Sequence, residues 1–292
     1  MNAREALAHA RQQLEASPEL RADAARDATA LLLHTLGISR AALLANPEHA
    51  LTAAQQSTYE AFILRRLTHE PIQYVTGEQE FYGLALRVTP AVLIPRPETE
   101  LLVEAVLAAV DPTQLLRILD LGTGSGAIAI ALAAHLPHAH ITATDISPAV
   151  LAVARANAAR HNLTARIRFV ESDLLSALAP GSQDPAALDP AELFDAIVSN
   201  PPYVPTADRE TLHPQVRDHE PAAALFAGTD GLDIYRRLIP RARAALAPNG
   251  LLALEIGHNQ RDAIAAMLAD WHAVRFLDDL QLIPRVAIAR KP

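Results

Sequence analysis

The sequence predicts an α/β fold, a doubly wound, mostly parallel seven-stranded sheet with a small N-terminal helical domain, and three observations carry that reading. Short apolar runs alternate with helical stretches from Leu115 to Arg290, the pattern of strands joined by crossover helices. The run Leu115 to Leu119 leads into Asp120-Leu121-Gly122-Thr123-Gly124-Ser125-Gly126 and then the apolar stretch Ala127 to Leu136, which is a strand, a glycine turn and a helix. Upstream, from Ala3 to Leu67, apolar residues recur at helical spacing, as in Ala25, Ala28, Leu31, Leu32 and Leu36, with breaks at Gly37 and Pro47.

Taken in order, residues 1–70 are expected to form the helical domain, 71–96 a hairpin linker and 97–292 the sheet domain. After Pro71 the pattern shifts to strand-like runs around Phe81-Tyr82 and Leu84 to Val88, which read as a hairpin. The first sheet strand is Leu115 to Leu119. His140 to Thr144 and Ile167 to Val170 follow, then a strand containing Ala196-Ile197-Val198, and Leu251 to Glu255 is the fifth. Val274 to Leu277 and Arg285 to Ala289 would close one edge antiparallel. Between the third and fourth strands, Leu178 to Glu192 is rich in Pro, Ala and Asp and reads as an exposed insertion.

Composition narrows the function classes. A chain of 292 residues with 50% hydrophobic content buries a sizeable core and suggests roughly two domains. It has no run of eighteen predominantly apolar residues free of polar breaks and no basic segment leading into a short apolar one, so neither a membrane span nor a signal peptide is expected. Zero cysteines exclude disulfides and thiolate metal sites and suit a cytoplasmic protein. His135, His138 and His140 are close together but interrupted by Pro137, so they read as turn residues and no metal site is expected. With 33 acidic against 25 basic residues, a formal charge of -8, extended nucleic-acid binding is disfavoured; Arg65-Arg66 and Arg236-Arg237 are pairs, not a stripe.

Asn200-Pro201-Pro202-Tyr203 places an amide, a rigid turn and an aromatic ring at the end of a strand. The Asn200 carbonyl and the Pro201 carbonyl are two acceptors that can fix one NH2 group through both hydrogens, while Tyr203 packs on the flat face of the substrate. The same tetrapeptide also reads as a proline turn that simply ends a strand. The glycine turn is a nucleotide-cofactor cradle, because glycines allow close approach to the backbone and the helix start presents free N–H donors. Its spacing Gly122, Gly124, Ala127 also fits a dinucleotide fingerprint. Asp120 decides between them: a carboxylate there sits badly beside a pyrophosphate but suits a cofactor that carries an ammonium group and no phosphate, S-adenosyl-L-methionine. Asp145, about twenty residues beyond the glycine turn, is placed for the ribose hydroxyls. Its other reading is a helix cap, a role that Ser147-Pro148 already fills. Asp173 is placed for the adenine amine or is a solvated turn acid.

These residues resemble a class I, Rossmann-like S-adenosylmethionine-dependent methyltransferase of the amino-methylating group. Val92-Leu93-Ile94-Pro95-Arg96-Pro97-Glu98-Thr99-Glu100 resembles the segment that marks release-factor glutamine methyltransferases, as do Pro71-Ile72-Gln73-Tyr74-Val75-Thr76-Gly77, Glu220-Pro221 and Gly231-Leu232-Asp233. The resemblance covers nearly the whole chain. It implies methyl transfer to the glutamine side-chain nitrogen of the Gly-Gly-Gln motif in peptide-chain release factors. Asn200, Pro201, Pro202 and Tyr203 form the catalytic set. Asp120, Gly122, Thr123, Gly124, Ser125, Gly126, Asp145, Asp173, Leu174 and Asn200 form the cofactor set, and no general base is assigned. The helical domain becomes a platform for the protein substrate, or a stabilising cap. Tyr74 and Tyr82 are contact or packing residues, Arg96 and Glu98 order a hinge or border the pocket, and Leu93 and Ile94 wall the reactive site or lie buried in a strand. Two departures stand out: Leu174 replaces an aromatic beside the adenine, and Leu282 replaces a glycine, which puts its turn in doubt. The competing readings are glutamine methylation of a ribosomal protein, amino methylation of a nucleic-acid base, and a non-catalytic cofactor-binding scaffold.

Overall fold

The computed structural model describes residues 1–178 and 193–292. Most of the expected insertion therefore lies outside the described residues; Leu178, its first residue, is buried at the end of a 3-10 turn, Ser176–Leu178. The described chain divides into two compact units, Met1–Glu78 with Thr211–Glu220, and Gln79–Glu210 with Pro221–Pro292.

The first unit contains α1 (Ala3–Glu15), α2 (Ala24–Leu36), α3 (Arg40–Ala45), α4 (Ala53–Leu67) and α5 (Ile72–Thr76). Its helices start where the sequence supplies caps. Asn2 and Thr52 each form a reciprocal capping box with a residue three positions on, Glu5 and Gln55, which satisfies N–H groups that the helix leaves open. Gly37 ends α2 in the left-handed conformation that glycine tolerates without strain. The apolar faces bury Leu14, Leu31, Leu32 and Ile63, and the Tyr59 hydroxyl donates to the Ala28 carbonyl at 3.0 Å. Arg66 of α4 meets Asp27 of α2 at 2.8 Å with both side chains buried. Removing one partner would leave a charge in the core, so the pair fixes how α2 and α4 register.

The hairpin of β1 (Glu78–Phe81) and β2 (Leu84–Arg87) leads from the first unit's last residue before the break, Glu78, into the second, and α6 (Glu100–Ala109) follows. Alternation follows with β3 (Arg117–Leu121), α7 (Ala127–His135), β4 (His140–Asp145), α8 (Pro148–Arg160), β5 (Ile167–Glu171) and β6 (Phe194–Ser199). After α9 (Pro214–Arg217), which folds with the first unit, come α10 (Asp233–Ala245), β7 (Leu246–Glu255), α11 (Arg261–Met267), β8 (His272–Asp278) and β9 (Pro284–Arg290). The seven-stranded sheet has the order β5-β4-β3-β6-β7-β9-β8. Its strands pair in parallel except β9, which is antiparallel to both β7 and β8. Helix α7 is apolar on every side, and Ala127 to Ala133 are all buried, as a helix enclosed by other elements requires.

Two strands depart most from the sequence reading, the others by one or two residues at an end. The first sheet strand runs from Arg117 through Leu121, because pairing begins at Arg117 with His140 and ends with Leu121 opposite Ser199; Leu115 is exposed and Asp120 lies inside the strand. The fifth starts at Leu246, since pairing with β6 passes from Phe194↔Leu246 to Ala196↔Leu251 and the intervening residues are taken up as an irregularity. The carboxyl ends of β3, β4 and β6 finish together, and the chain order reverses between β3 and β6. Open sheets of this kind bind ligands beyond such a reversal.

The turn between β8 and β9 closes with leucine, where the resemblance implies a glycine. Asp279 organises it: one carboxylate oxygen accepts from the N–H groups of Gln281 and Ile283, and the other from Arg285 at 2.9 Å. Leu282 is held at a φ of 60° with its side chain in water. A left-handed conformation costs a branched residue roughly 1–2 kcal/mol, and glycine gives part of that back through its freer unfolded state. Leu282→Gly is therefore expected to stabilise the protein by about 1 kcal/mol, read as a higher urea midpoint at unchanged slope; a lower midpoint would contradict strain at this turn.

Candidate active site

A cleft of about 400 Å³ opens at the carboxyl ends of β3, β4, β5 and β6 within the second unit. Its walls include Gly122 to Ser125, Asp145, Asp173, Leu174 and Asn200 to Pro202, so most of the residues singled out from the sequence meet at one place. Asp120, Gly126 and Tyr203 are not in the wall. The structure shows what each does behind it.

Asp120 lies fully buried beneath the glycine turn. Its Oδ2 accepts from the Thr123 hydroxyl at 2.7 Å and from the Ala129 N–H at 3.2 Å, tying the turn to the start of α7, while Oδ1 has no partner among the described residues. Burial pushes its carboxyl up to about 7 against the pull of those two donors. Gly126 also works by packing: at a φ of 85°, a Cβ would press on Ile130 and on Ala154 of α8 at 3.1 and 3.3 Å. The turn is held from a third side by Asn157 of α8, which donates to the Ser125 carbonyl and to Arg87 and accepts from the Arg87 N–H. Asn157 is fully buried and was not singled out in the sequence. Its signal was a polar residue on the apolar period Val150, Ala154, Asn157, Ala158.

Asp145 ends β4 with Oδ2 accepting from Gly124 N–H at 3.2 Å and Oδ1 from Ser147 N–H at 3.1 Å. Burial raises its carboxyl, and these donors oppose the rise. Each oxygen keeps a second lone pair for an outside hydroxyl. Ser147 caps α8 through Val150 N–H, with Pro148 at the first position, so the cap does not draw on Asp145. Asp173 is paired with Arg237 of α10. Leu174 follows at a φ of 55° and supplies an apolar wall. Leu93 and Arg96 line the cleft, whereas Ile94 is buried and Glu98 is exposed. Tyr74 is buried, and Tyr82 packs edge-on against His135.

The loop after β6 is fastened at every residue that matters. Ser199 Oγ donates to the Leu121 carbonyl at 2.7 Å, joining the ends of β6 and β3. Asn200 Nδ2 donates to Thr99 Oγ1 at 3.1 Å, so Oδ1 is the amide atom left to accept. Tyr203 turns inward against the apolar cluster below α10, and its hydroxyl donates to Glu255 Oε1 at 3.3 Å. Its carbonyl accepts from Gln260 Nε2 at 3.0 Å. Gly231, at a φ of 74°, comes so close to that carbonyl that any Cβ would overlap it, which is why the Gly-Leu-Asp segment needs its glycine. Thr99, Glu255 and Gln260 are site residues that the sequence reading left without a role. Glu255 was legible only as the charged end of an apolar strand.

Comparison with known proteins agrees with this geometry. Residues 5–77 match the family model described as PrmC N-terminal domain, and residues 97–216 match the methyltransferase small domain. The chain is 45% identical over 296 residues to the release factor glutamine methyltransferase of Koribacter versatilis, covering 100% of this chain and 99% of that one. The chain belongs to the release factor glutamine methyltransferase family. Its member from Moorella thermoacetica is 46% identical over 268 residues, 90% of this chain and 88% of that one. Among solved structures, the hMettl16 catalytic domain in complex with MAT2A 3′UTR hairpin 6 has a TM-score of 0.55 at 16% identity, covering 82% of each chain. The T. thermophilus 16S rRNA N2 G1207 methyltransferase, in complex with AdoMet and guanosine, gives 0.53 at 21% identity, covering 74% of this chain and 50% of that one. Those two likenesses are of fold, the class I methyltransferase fold. Among the described residues no helix is long and apolar enough to cross a membrane, and no group of three or more His, Cys, Asp or Glu is placed to hold a metal ion.

The buried acid under the glycine turn gives a pH test. Between its ordinary value of 3.8 and about 7, Asp120 keeps a proton in the folded state that the unfolded chain has released. Its contribution to stability is thus complete below the lower value and is lost as pH rises through the upper one. Urea unfolding of wild type and Asp120→Asn is expected to show the difference moving in favour of the variant from about pH 4 to about pH 8. A difference that does not change with pH would mean that Asp120 is ionised throughout.

Proposed function

We propose that this chain transfers the methyl group of S-adenosylmethionine to the side-chain amide nitrogen of the glutamine in the Gly-Gly-Gln motif of peptide-chain release factors. The observation that carries the reading is Asn200 at the cleft, with Nδ2 engaged by Thr99 and Oδ1 left as an acceptor. A glutamine NH2 has two hydrogens to place, and Asn200 Oδ1 with the Pro201 carbonyl takes both. An amide nitrogen is a weak nucleophile because its lone pair is shared with its carbonyl. Position and environment must therefore supply the catalysis.

The cleft suits the cofactor. Its volume falls within the usual range for small-molecule sites. The glycine turn is the cradle, the free lone pairs of Asp145 take the ribose hydroxyls, and Asp173 and Leu174 meet the adenine. Asp120 serves the ammonium group through the turn it braces rather than by direct contact. When bound, the sulfonium supplies an electrophilic methyl group. Leu93, Ile128 and Pro201 give the channel apolar walls that exclude water, which favours dispersal of positive charge. Pro202 stiffens the loop and Tyr203 anchors it. The proton leaves to water after transfer, so no side chain is assigned as base. The helical unit is the platform for the protein substrate, since a protein needs more surface than a cleft supplies, and the reaction belongs with translation termination in the cytoplasm.

Labelled methyl transfer from S-adenosylmethionine to unmodified release factor tests this, beside a factor whose motif glutamine is alanine and an unmodified nucleic acid. Label is expected on the intact factor alone; label on the nucleic acid alone would replace the substrate assignment. Asn200→Ala is expected to lower kcat by about a hundredfold or more while the fold and cofactor binding are kept. Methylation that survives this change would remove Asn200 from its role. Asp173→Ala is expected to weaken S-adenosylmethionine binding by about tenfold in calorimetry, the loss of one charge-assisted hydrogen bond, and unchanged affinity would return Asp173 to its ion pair with Arg237.

A further inference from the structure

Glu255 ends β7 with 1% of its surface exposed, and a buried carboxylate destabilises a fold unless donors face it. Two hydroxyls do. Tyr203 donates to Oε1, and Thr99 lies near enough to pull the carboxyl's pKa down, while Oε2 is buried with its hydrogen bond still open. Thr99 also accepts from Asn200 Nδ2. A threonine hydroxyl has a single proton, and its oxygen is already accepting on the Asn200 side, so that proton is directed toward another acceptor. Glu255 Oε2, buried and without a hydrogen-bond partner among the described residues, is the acceptor that proton would reach.

On the reading that Asn200 orients an amide substrate, we infer that Glu255 is the positioning residue that sets which way round the Asn200 amide stands, acting through the Thr99 hydroxyl. An ionised carboxylate only accepts, so it draws the Thr99 proton toward itself and turns the Thr99 lone pair to Asn200. Asn200 must then give Thr99 its NH2 and keep Oδ1 for the substrate. A protonated Glu255 can donate instead. Thr99 is then free to donate to Asn200, the amide turns over, and an NH2 group faces the substrate's own NH2. The same carboxylate seats Tyr203 at the other end of the tetrapeptide, so one acid governs both ends of the loop.

The groups that face this carboxyl decide its charge. Thr99 and Glu98 come from the turn before α6, Tyr203 from the loop after β6, and Arg285 from β9; the Tyr235 hydroxyl of α10 bonds the Glu255 carbonyl. Burial raises the carboxyl to about 7, against the two hydroxyls and Arg285 and with the help of Glu98. Both forms are therefore populated near neutrality, and the switch is open to measurement.

The test reads the Asn200 side-chain amide resonances of the full-length protein without substrate, assigned by their loss in Asn200→Ala, from about pH 5.5 to about pH 8.5. In the wild type they are expected to titrate once near neutrality. Glu255→Gln should abolish that titration, Thr99→Val should uncouple it, and Thr99→Ser should keep it. In turnover, kcat of the wild type should rise with the same midpoint, and Glu255→Gln should lower kcat by about tenfold or more with KM for S-adenosylmethionine within about twofold. Resonances that do not titrate, or that titrate unchanged in Glu255→Gln or Thr99→Val, would overturn the inference. A titration that depends on Glu255 in a protein that leaves release factor unlabelled upholds it and overturns the substrate reading alone.

Discussion

An asparagine amide has nearly the same outline whichever way it is turned, and opposite hydrogen-bonding character, so the role proposed for Asn200 rests on holding it one way round. The fold spends several distant segments on that constraint. Thr99 takes the amide nitrogen, Ser199 fixes the strand just before it, Glu255 and Gln260 hold Tyr203 just after it, and Gly231 leaves room for the Tyr203 carbonyl. The Arg-Pro-Glu-Thr-Glu and Gly-Leu-Asp segments thus have a physical reason to accompany Asn-Pro-Pro-Tyr. They are parts of its mounting.

The second half of the site is mounted by the same logic with different chemistry. A carboxylate buried in β3, an asparagine buried in α8 and a carboxylate at the end of β4 each take or give hydrogen bonds to the glycine turn, so its backbone is set before any ligand arrives. Because β3 and β6 are neighbours, the cradle and the tetrapeptide emerge side by side. Geometry of this kind lowers the ordering cost of bringing two reactants together.

Most of the fold was legible because burial leaves a period in the sequence. Alternating apolar runs gave the strands of the sheet and the antiparallel edge, and glycine spacing gave the turn. The bounds of β3 were displaced because apolar character ends before Asp120 while pairing continues through it, carried by a carboxylate that packs under the turn. What composition could not reveal was pairing across distance. Asp173 read as a turn acid or an adenine ligand, and its partner Arg237 lies 64 residues away. Glu255 was legible only as the charged end of an apolar strand, and it is enclosed. Tyr203 read as a face for the substrate, and its ring is turned into the core by a hydroxyl that needs a partner.

The segment Thr211–Glu220 belongs with the helical unit, where His219 meets the Thr68 carbonyl at 2.8 Å and His213 the Glu19 carbonyl at 3.4 Å. The backbone accordingly changes unit at Glu78, at Glu210 and again at Glu220. During synthesis the five helices are made before this strip of chain, which follows β3 to β6. The chain of the first unit is thus completed only in the middle of its neighbour's, so the two units are synthesised as one interleaved stretch.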